Sequence, residues 1–190
     1  MSSVKVFQVG FNKCATRTMA QFFEDNGYPA AHYLSGRLAR NIRNCKTAGT
    51  KPLERWDDRV LFTDMETVTW DELYEAYKDF AYLDQWYPDA YFILNTRRVE
   101  QWLLSRLRHD DGDYLLRYMA GYGDDNPLHA LQRWSADWET HLPAVRAHFA
   151  DRPGKLLEFD IDKDGPDKIV AHFDGVLKLD PEKWGHRGKT

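Results

Sequence analysis

Four short apolar runs, each followed by a stretch with helical periodicity, restrict the fold of this chain more than any other feature. The runs are residues 4–9, 60–63, 91–94 and 155–159. The first leads through residues 10–15 into a helical pattern over 16–26, where Met19, Phe22 and Phe23 share a face and Gly27 closes the element. The second ends at Asp64; beyond it Thr69 and Glu72 form a capping-box signature that predicts a helix over 70–86. The third is followed by Arg97, Arg98 and a helix placing Leu103, Leu104 and Leu107 on one face. Asn126 and Pro127 open a long helix whose inner stripe is Leu131, Trp134, Trp138, Leu142 and Val145. The fourth run precedes a closing helix over 166–176, with Ile169, Val170 and Phe173 inward. Strands alternating with helices predict a mainly parallel central sheet covered on both faces, an α/β three-layer sandwich. Ligands of such folds collect at the carboxyl ends of the strands, so the residues just after each run carry the functional information.

Composition narrows the function classes. With 190 residues, 43% hydrophobic and 29% charged, the chain suits one compact domain spanning 1–190. A net charge of -4 provides no electrostatic surplus for nucleic acid or an anionic membrane surface, so any basic site must be local. The two cysteines, Cys14 and Cys45, are too few for a disulfide framework, which points to a reducing cytoplasmic setting. The apolar run at 4–9 is far short of a signal segment or a membrane span. Arg37, Arg40, Arg43 and Lys46 recur every third residue, so they fall near one another on a helix. The histidines show no spacing that predicts a metal cluster.

Two segments carry chemistry. After the first run, Lys13, Cys14, Ala15, Thr16, Arg17 and Thr18 lead into a helix whose first N–H groups and positive dipole end form an anion site. The segment is like a phosphate-binding loop without the Gly-Lys-Ser/Thr ending that would hold magnesium. An ordinary strand-to-helix turn with a solvated lysine is the competing reading. After the third run, Arg97 leaves the strand end and Ser105 lies two turns along the next helix. The planar guanidinium fork and a neutral hydroxyl suit one phosphate group. Asp64 and Glu66, past the second run, are the best-placed carboxylates for general-base work, with His109 as the second choice; a loop anchor is the alternative role for each.

Together, the Lys13–Thr18 segment and the Arg97/Ser105 pair resemble the sulfotransferase family, whose donor is 3′-phosphoadenosine-5′-phosphosulfate (PAPS). The family's 5′-phosphosulfate loop runs Lys-x-Gly-Thr-Thr/Ser, and its 3′-phosphate motif is an Arg-Asp-Pro-like start with a serine eight residues on. Arg187 and Gly188 are similar to the Arg-Lys-Gly segment that closes over the 3′-phosphate in some members. The resemblance implies a P-loop-NTPase-like core, PAPS as co-substrate, no required metal, and a small-molecule or carbohydrate acceptor. It implies Lys13 and a carboxylate, Asp64 or Glu66, as catalytic groups. Cys14, Ala15, Thr16, Arg17, Thr18, Arg97, Ser105, Arg187 and Gly188 would then form the donor site. Ala15 stands where the family has glycine, and Arg98-Val99 where it has Asp-Pro. A kinase of the phosphate-loop class using Mg-ATP, and a non-catalytic nucleotide-binding module on the same fold, are the other readings compatible with these segments.

Overall fold

The computed structural model describes residues 4–185. In chain order the main elements are β1 (Val6–Gln8), α1 (Thr16–Asp25), β2 (Ala30–His32), α2 (Arg37–Ala48), β3 (Leu61–Thr63), β4 (Glu66–Val68) and β5 (Leu73–Glu75). They are followed by α3 (Phe80–Trp86), β6 (Tyr91–Thr96), α4 (Val99–Leu107), α5 (Asp113–Tyr122), α6 (Pro127–Phe149), β7 (Leu156–Asp160) and α7 (Pro166–His172). A five-stranded sheet has the order β2-β3-β1-β6-β7, and every pairing in it is parallel.

Helices on both faces explain why the strands read as mainly apolar runs, broken in the first by Lys5 and Gln8. Successive side chains enter opposite cores: Val6, Leu61 and Ile93 pack with Met19, Phe22 and Phe23 of α1 and with Ile169 of α7. Phe7, Phe62 and Phe92 pack on the other face with residues of α2, α3 and α6. The register places Phe7 opposite both Phe62 and Phe92, and the rings are 5.3 and 5.6 Å apart between centroids. Each such buried ring contributes about 1.5–3 kcal/mol of transfer free energy, and the row stiffens the middle of the sheet.

Local signals hold where the chain satisfies them from its own neighbours. Asn126 caps α6, its side-chain oxygen accepting from the amide of Leu128 at 3.0 Å, with Pro127 at the first helical position. The cationic repeat falls on α2, where Arg40 and Arg43 both pair with Glu72 and Lys46 pairs with Asp79.

Those pairs overturn the helix expected over 70–86. Residues 66–75 instead form an antiparallel hairpin of β4 and β5, and α3 begins only at Phe80. The amide of Thr69 donates to the carbonyl of Glu72 at 2.8 Å, closing the turn, while the Glu72 carboxylate is drawn to the two arginines of α2. A Thr-x-x-Glu signature serves either purpose, and the distant cations select the turn. On α4 the expected leucine face is also revised: Trp102 and Arg106 are fully buried and Leu104 is 41% exposed.

Candidate active site

The loop after β1 is built by what its carbonyl groups touch. The Asn95 side-chain amide donates to the carbonyls of Phe11 and Cys14 at 2.9 and 2.8 Å. Trp102 Nε1 donates to the carbonyl of Asn12 at 3.1 Å, and Arg97 Nη1 to that of Lys13 at 3.1 Å. Four consecutive carbonyls are thus occupied by donors from β6, α4 and the turn joining them. In a trans peptide the N–H lies opposite the C=O, so the amides of residues 12–15 point away from the donors that hold these carbonyls. Lys13 and Ala15 take left-handed conformations with φ of 60° and 61°, and alternating handedness of this kind forms an anion-binding concavity. The first bond of α1 runs from Met19 to the Ala15 carbonyl, which leaves the amides of Thr16 and Arg17 ahead of it without an intrahelical acceptor.

Gly10 makes this close packing possible. A β-carbon there would lie 2.2 Å from the Asn95 carbonyl oxygen and 2.3 Å from its Oδ1. On the opposite side Phe11 plugs the loop into the core, stacking on Trp138 with centroids 5.2 Å apart. His141 Nε2 donates to the carbonyl of Val9 at 2.7 Å, since a carbonyl can only accept.

The loop opens onto a cleft of about 820 Å³ at the carboxyl ends of the strands. Its walls bring together Lys13, Ala15, Thr16, Arg17 and Thr18 with Asp64 after β3, Arg97 after β6, and Ser105 of α4. These segments are far apart in the chain, and the parallel sheet delivers all of them to one edge. His109 lies in the turn after α4 on the same wall. Phe159, Ile161 and Trp184 supply an apolar side, with Trp184 packed edge-on against Phe22 and Phe159.

Charge in the cleft is mixed. Burial lowers the Lys13 ammonium from its ordinary value, with Asp64 opposing the effect and Arg17 adding to it. Asp64 has φ of 54° and an 18% exposed side chain, and its buried Oδ1 has no hydrogen-bond partner among the described residues. Burial raises its carboxyl above the usual carboxylate range, while His32, His109, Lys13 and Arg17 restrain the rise. Arg97 reaches Asp162 at 3.7 Å, and its buried Nε has no partner among the described residues. Asp162 also accepts from the backbone N–H of Arg98 at 2.9 Å, while the exposed Arg98 side chain lies 3.5 Å from the same carboxylate.

Two residues singled out in the sequence lie behind the cleft rather than in it. Cys14 is fully buried in the core, and burial pushes its thiol up to about 12, so its contribution to the cradle is limited to its backbone. Glu66 is 4% exposed; its Oε1 accepts from Asn12 Nδ2 at 2.8 Å and from the Tyr114 hydroxyl at 3.0 Å. It belongs to a buried group centred on Arg106, which donates through Nε to Asn12 Oδ1 at 2.8 Å and through Nη2 to Glu75 Oε1 at 3.2 Å. Burial and then the charge of Asp64 push the Glu66 carboxyl up to about 8, with Arg106 opposing. Burial would raise Glu75 also, but Arg106 and Lys78 more than reverse this and hold it at about 2. A neutral acid, a carboxylate and a guanidinium therefore sit side by side, and the acid and the guanidinium grip Asn12 at the base of the loop. Arg187 and Gly188 lie outside the described residues.

Sequence reasoning missed His32, Arg108 and Asn95 as well as the Arg106 group. The legible trace of Asn95 was a polar residue at the end of an apolar strand. Arg106 left none, because its burial depends on carboxylates from another part of the chain.

The family model described as sulfotransferase domain matches residues 5–109. The matched span runs from β1 to the turn after α4 and contains the loop, Asp64, Arg97 and Ser105. No curated protein matches the chain significantly.

Proposed function

Because the chain belongs to the sulfotransferase-domain family, a family of sulfuryl-transferring enzymes, we propose that it moves a sulfuryl group from PAPS to a hydroxyl or amine of a small-molecule or carbohydrate acceptor. One observation carries this reading: the loop ahead of α1, with Lys13, Thr16 and Thr18, lines the same cleft as a carboxylate and an arginine-serine pair. The donor supplies a sulfur electrophile, to which the acceptor oxygen or nitrogen bonds as the sulfur–oxygen bond to the departing 3′,5′-bisphosphate breaks.

The chain's own groups divide the work. The amides of residues 12–17, with the hydroxyls of Thr16 and Thr18, hold the 5′-phosphosulfate. Lys13 neutralises charge growing on the bridging oxygen, and such preorganised donors are worth about 100-fold or more in rate apiece. Arg97 and Ser105 hold the 3′-phosphate, joined by Arg108 from the same wall. Trp184 and Phe159 offer apolar surface to the base. Asp64 accepts the acceptor's proton; a carboxyl raised above its ordinary range is better matched to this task than an unperturbed one. Glu66 is reassigned to holding Asn12. We further propose that residues 1–190 act as one domain, since β7, beyond the matched span, pairs with β6 inside it along five residues.

Calorimetric titration with 3′,5′-adenosine bisphosphate, and separately with Mg-ATP, tests the reading on wild type, Lys13→Ala and Arg97→Ala. Binding of the bisphosphate that is weakened at least tenfold in both variants supports it. Binding of Mg-ATP alone would replace it with a kinase-like site, and binding of neither would remove the nucleotide site. Binding without sulfuryl transfer to any acceptor would favour the non-catalytic module.

A further inference from the structure

The proton acceptor proposed above has a neighbour on the adjacent strand. β2 and β3 pair in parallel with His32 opposite Thr63. His32 Nδ1 lies 2.8 Å from Thr63 Oγ1, and His32 Nε2 lies 3.7 Å from Asp64 Oδ2. Thr63 is fully buried, and its carbonyl accepts from the amide of Tyr33 at 3.1 Å, which pins the strand ends together. His32 and Asp64 both line the cleft.

The hydroxyl and the carboxylate select one form of the imidazole. A threonine hydroxyl has a single proton. If it donates to Nδ1, the ring proton sits on Nε2 and faces Oδ2. In the other tautomer Nδ1 donates to Oγ1, and a lone pair on Nε2 would face an ionised carboxylate, which is repulsive. We infer that His32 is a positioning residue for the sulfuryl-transfer reaction: set between Thr63 and Asp64 with its proton on Nε2, it faces Oδ2 at 3.7 Å and orients the carboxylate that takes the acceptor's proton. This assignment rests on the sulfuryl-transfer reading, and nothing in the sequence pattern pointed to it.

The arrangement is consistent with the charges around it. Lys13 and Arg17 face Asp64 from the loop and α1, and His109 from the turn after α4. Glu24 of α1 and Arg17 face His32, and Glu66 follows Asp64 by two residues. Burial lowers the His32 imidazole from its ordinary value, with Asp64 opposing, so the neutral ring is the working form near neutral pH. A neutral ring with a fixed N–H favours the ionised carboxylate without the cost of a second buried charge.

The test has two arms. Long-range proton–nitrogen NMR of ring-labelled histidine, on the free protein, is expected to show His32 as the Nε2–H tautomer in wild type and as a mixture in Asp64→Ala, where the Thr63 hydroxyl can either donate or accept. An Nδ1–H tautomer in wild type, or no change in the variant, overturns the inference whatever the enzyme does. In the kinetic arm, His32→Ala is expected to lower kcat about 10-fold or more with acceptor KM nearly unchanged, and to move the acid limb of the pH profile upward. His32→Gln, which retains a donor, is expected to recover part of both effects. Sulfuryl transfer with an unaltered acid limb in His32→Ala refutes the role of His32 and leaves the function standing. Absence of transfer and of bisphosphate binding in wild type refutes the function, while the NMR arm still reads the tautomer.

Discussion

Glu66→Gln isolates the proton that the buried Arg106 group stores. The Glu66 carboxyl ordinarily titrates at 4.5 and is pushed up to about 8 in the folded protein. A folded-state value above the unfolded one means the folded chain binds the extra proton throughout that interval. The stability contributed by protonated Glu66 is therefore complete below pH 4.5 and is lost as pH rises toward 8. One pKa unit corresponds to about 1.4 kcal/mol, so roughly 3–4 kcal/mol should disappear between pH 5 and pH 8. At about 2–4 °C per kcal/mol for a chain of this size, that is on the order of 10 °C in Tm. The substituted amide would keep the acceptor oxygen for Asn12 and Tyr114 but could not ionise, so the variant should lack this slope. Burial lowers His32, His109, His141 and His172, which acts in the opposite direction across the same interval. The informative quantity is thus the difference between wild type and variant. Thermal melts of both proteins from pH 5 to pH 8.5 should show the variant gaining steadily on wild type as pH rises. Parallel curves would refute the argument that Glu66 is the neutral member of the group.

Two backbone predictions concern the loop. Ala15→Gly removes a β-carbon from a left-handed conformation costing about 1–2 kcal/mol, and the greater freedom of glycine when unfolded returns about 0.4–1 kcal/mol. A net gain of about 0.5–1 kcal/mol by chemical denaturation, with bisphosphate binding retained, is the expected result; a loss would mean that residue 15 does not need positive φ. Gly10→Ala should destabilise by about 3 kcal/mol and weaken bisphosphate binding together, because Asn95 must leave the carbonyls of Phe11 and Cys14 to admit the methyl group. Unchanged unfolding and binding would contradict the packing of β1 against β6.

The contrast between Asn126 and Thr69 explains how much of the fold was legible. Both begin segments with a helix-start signature, but Asn126 completes its cap with Leu128, two residues away. Glu72 completes its pairing with Arg40 and Arg43, about thirty residues away, and becomes part of a hairpin turn. β2 escaped notice because three residues form no period, although it carries His32. Of the residues lining the cleft, Lys13, Thr16 and Arg97 stood out in the sequence because each closely follows an apolar run, and Ser105 because it lies two helical turns beyond Arg97. Glu66 was misjudged because proximity to a strand end says nothing about which way a carboxylate turns.

Chain-local information thus determined the alternation of strands and helices, the loop after β1, and the arginine-serine interval, since each depends on neighbours within about two helical turns. Tertiary structure alone decided that Arg106 would bond to Asn12, 94 residues away, that Asn95 would orient the loop, and that His32 would face Asp64. It also decided which carboxyl keeps a proton, because a pKa follows from burial and nearby charge, and both exist only once distant segments have been packed together.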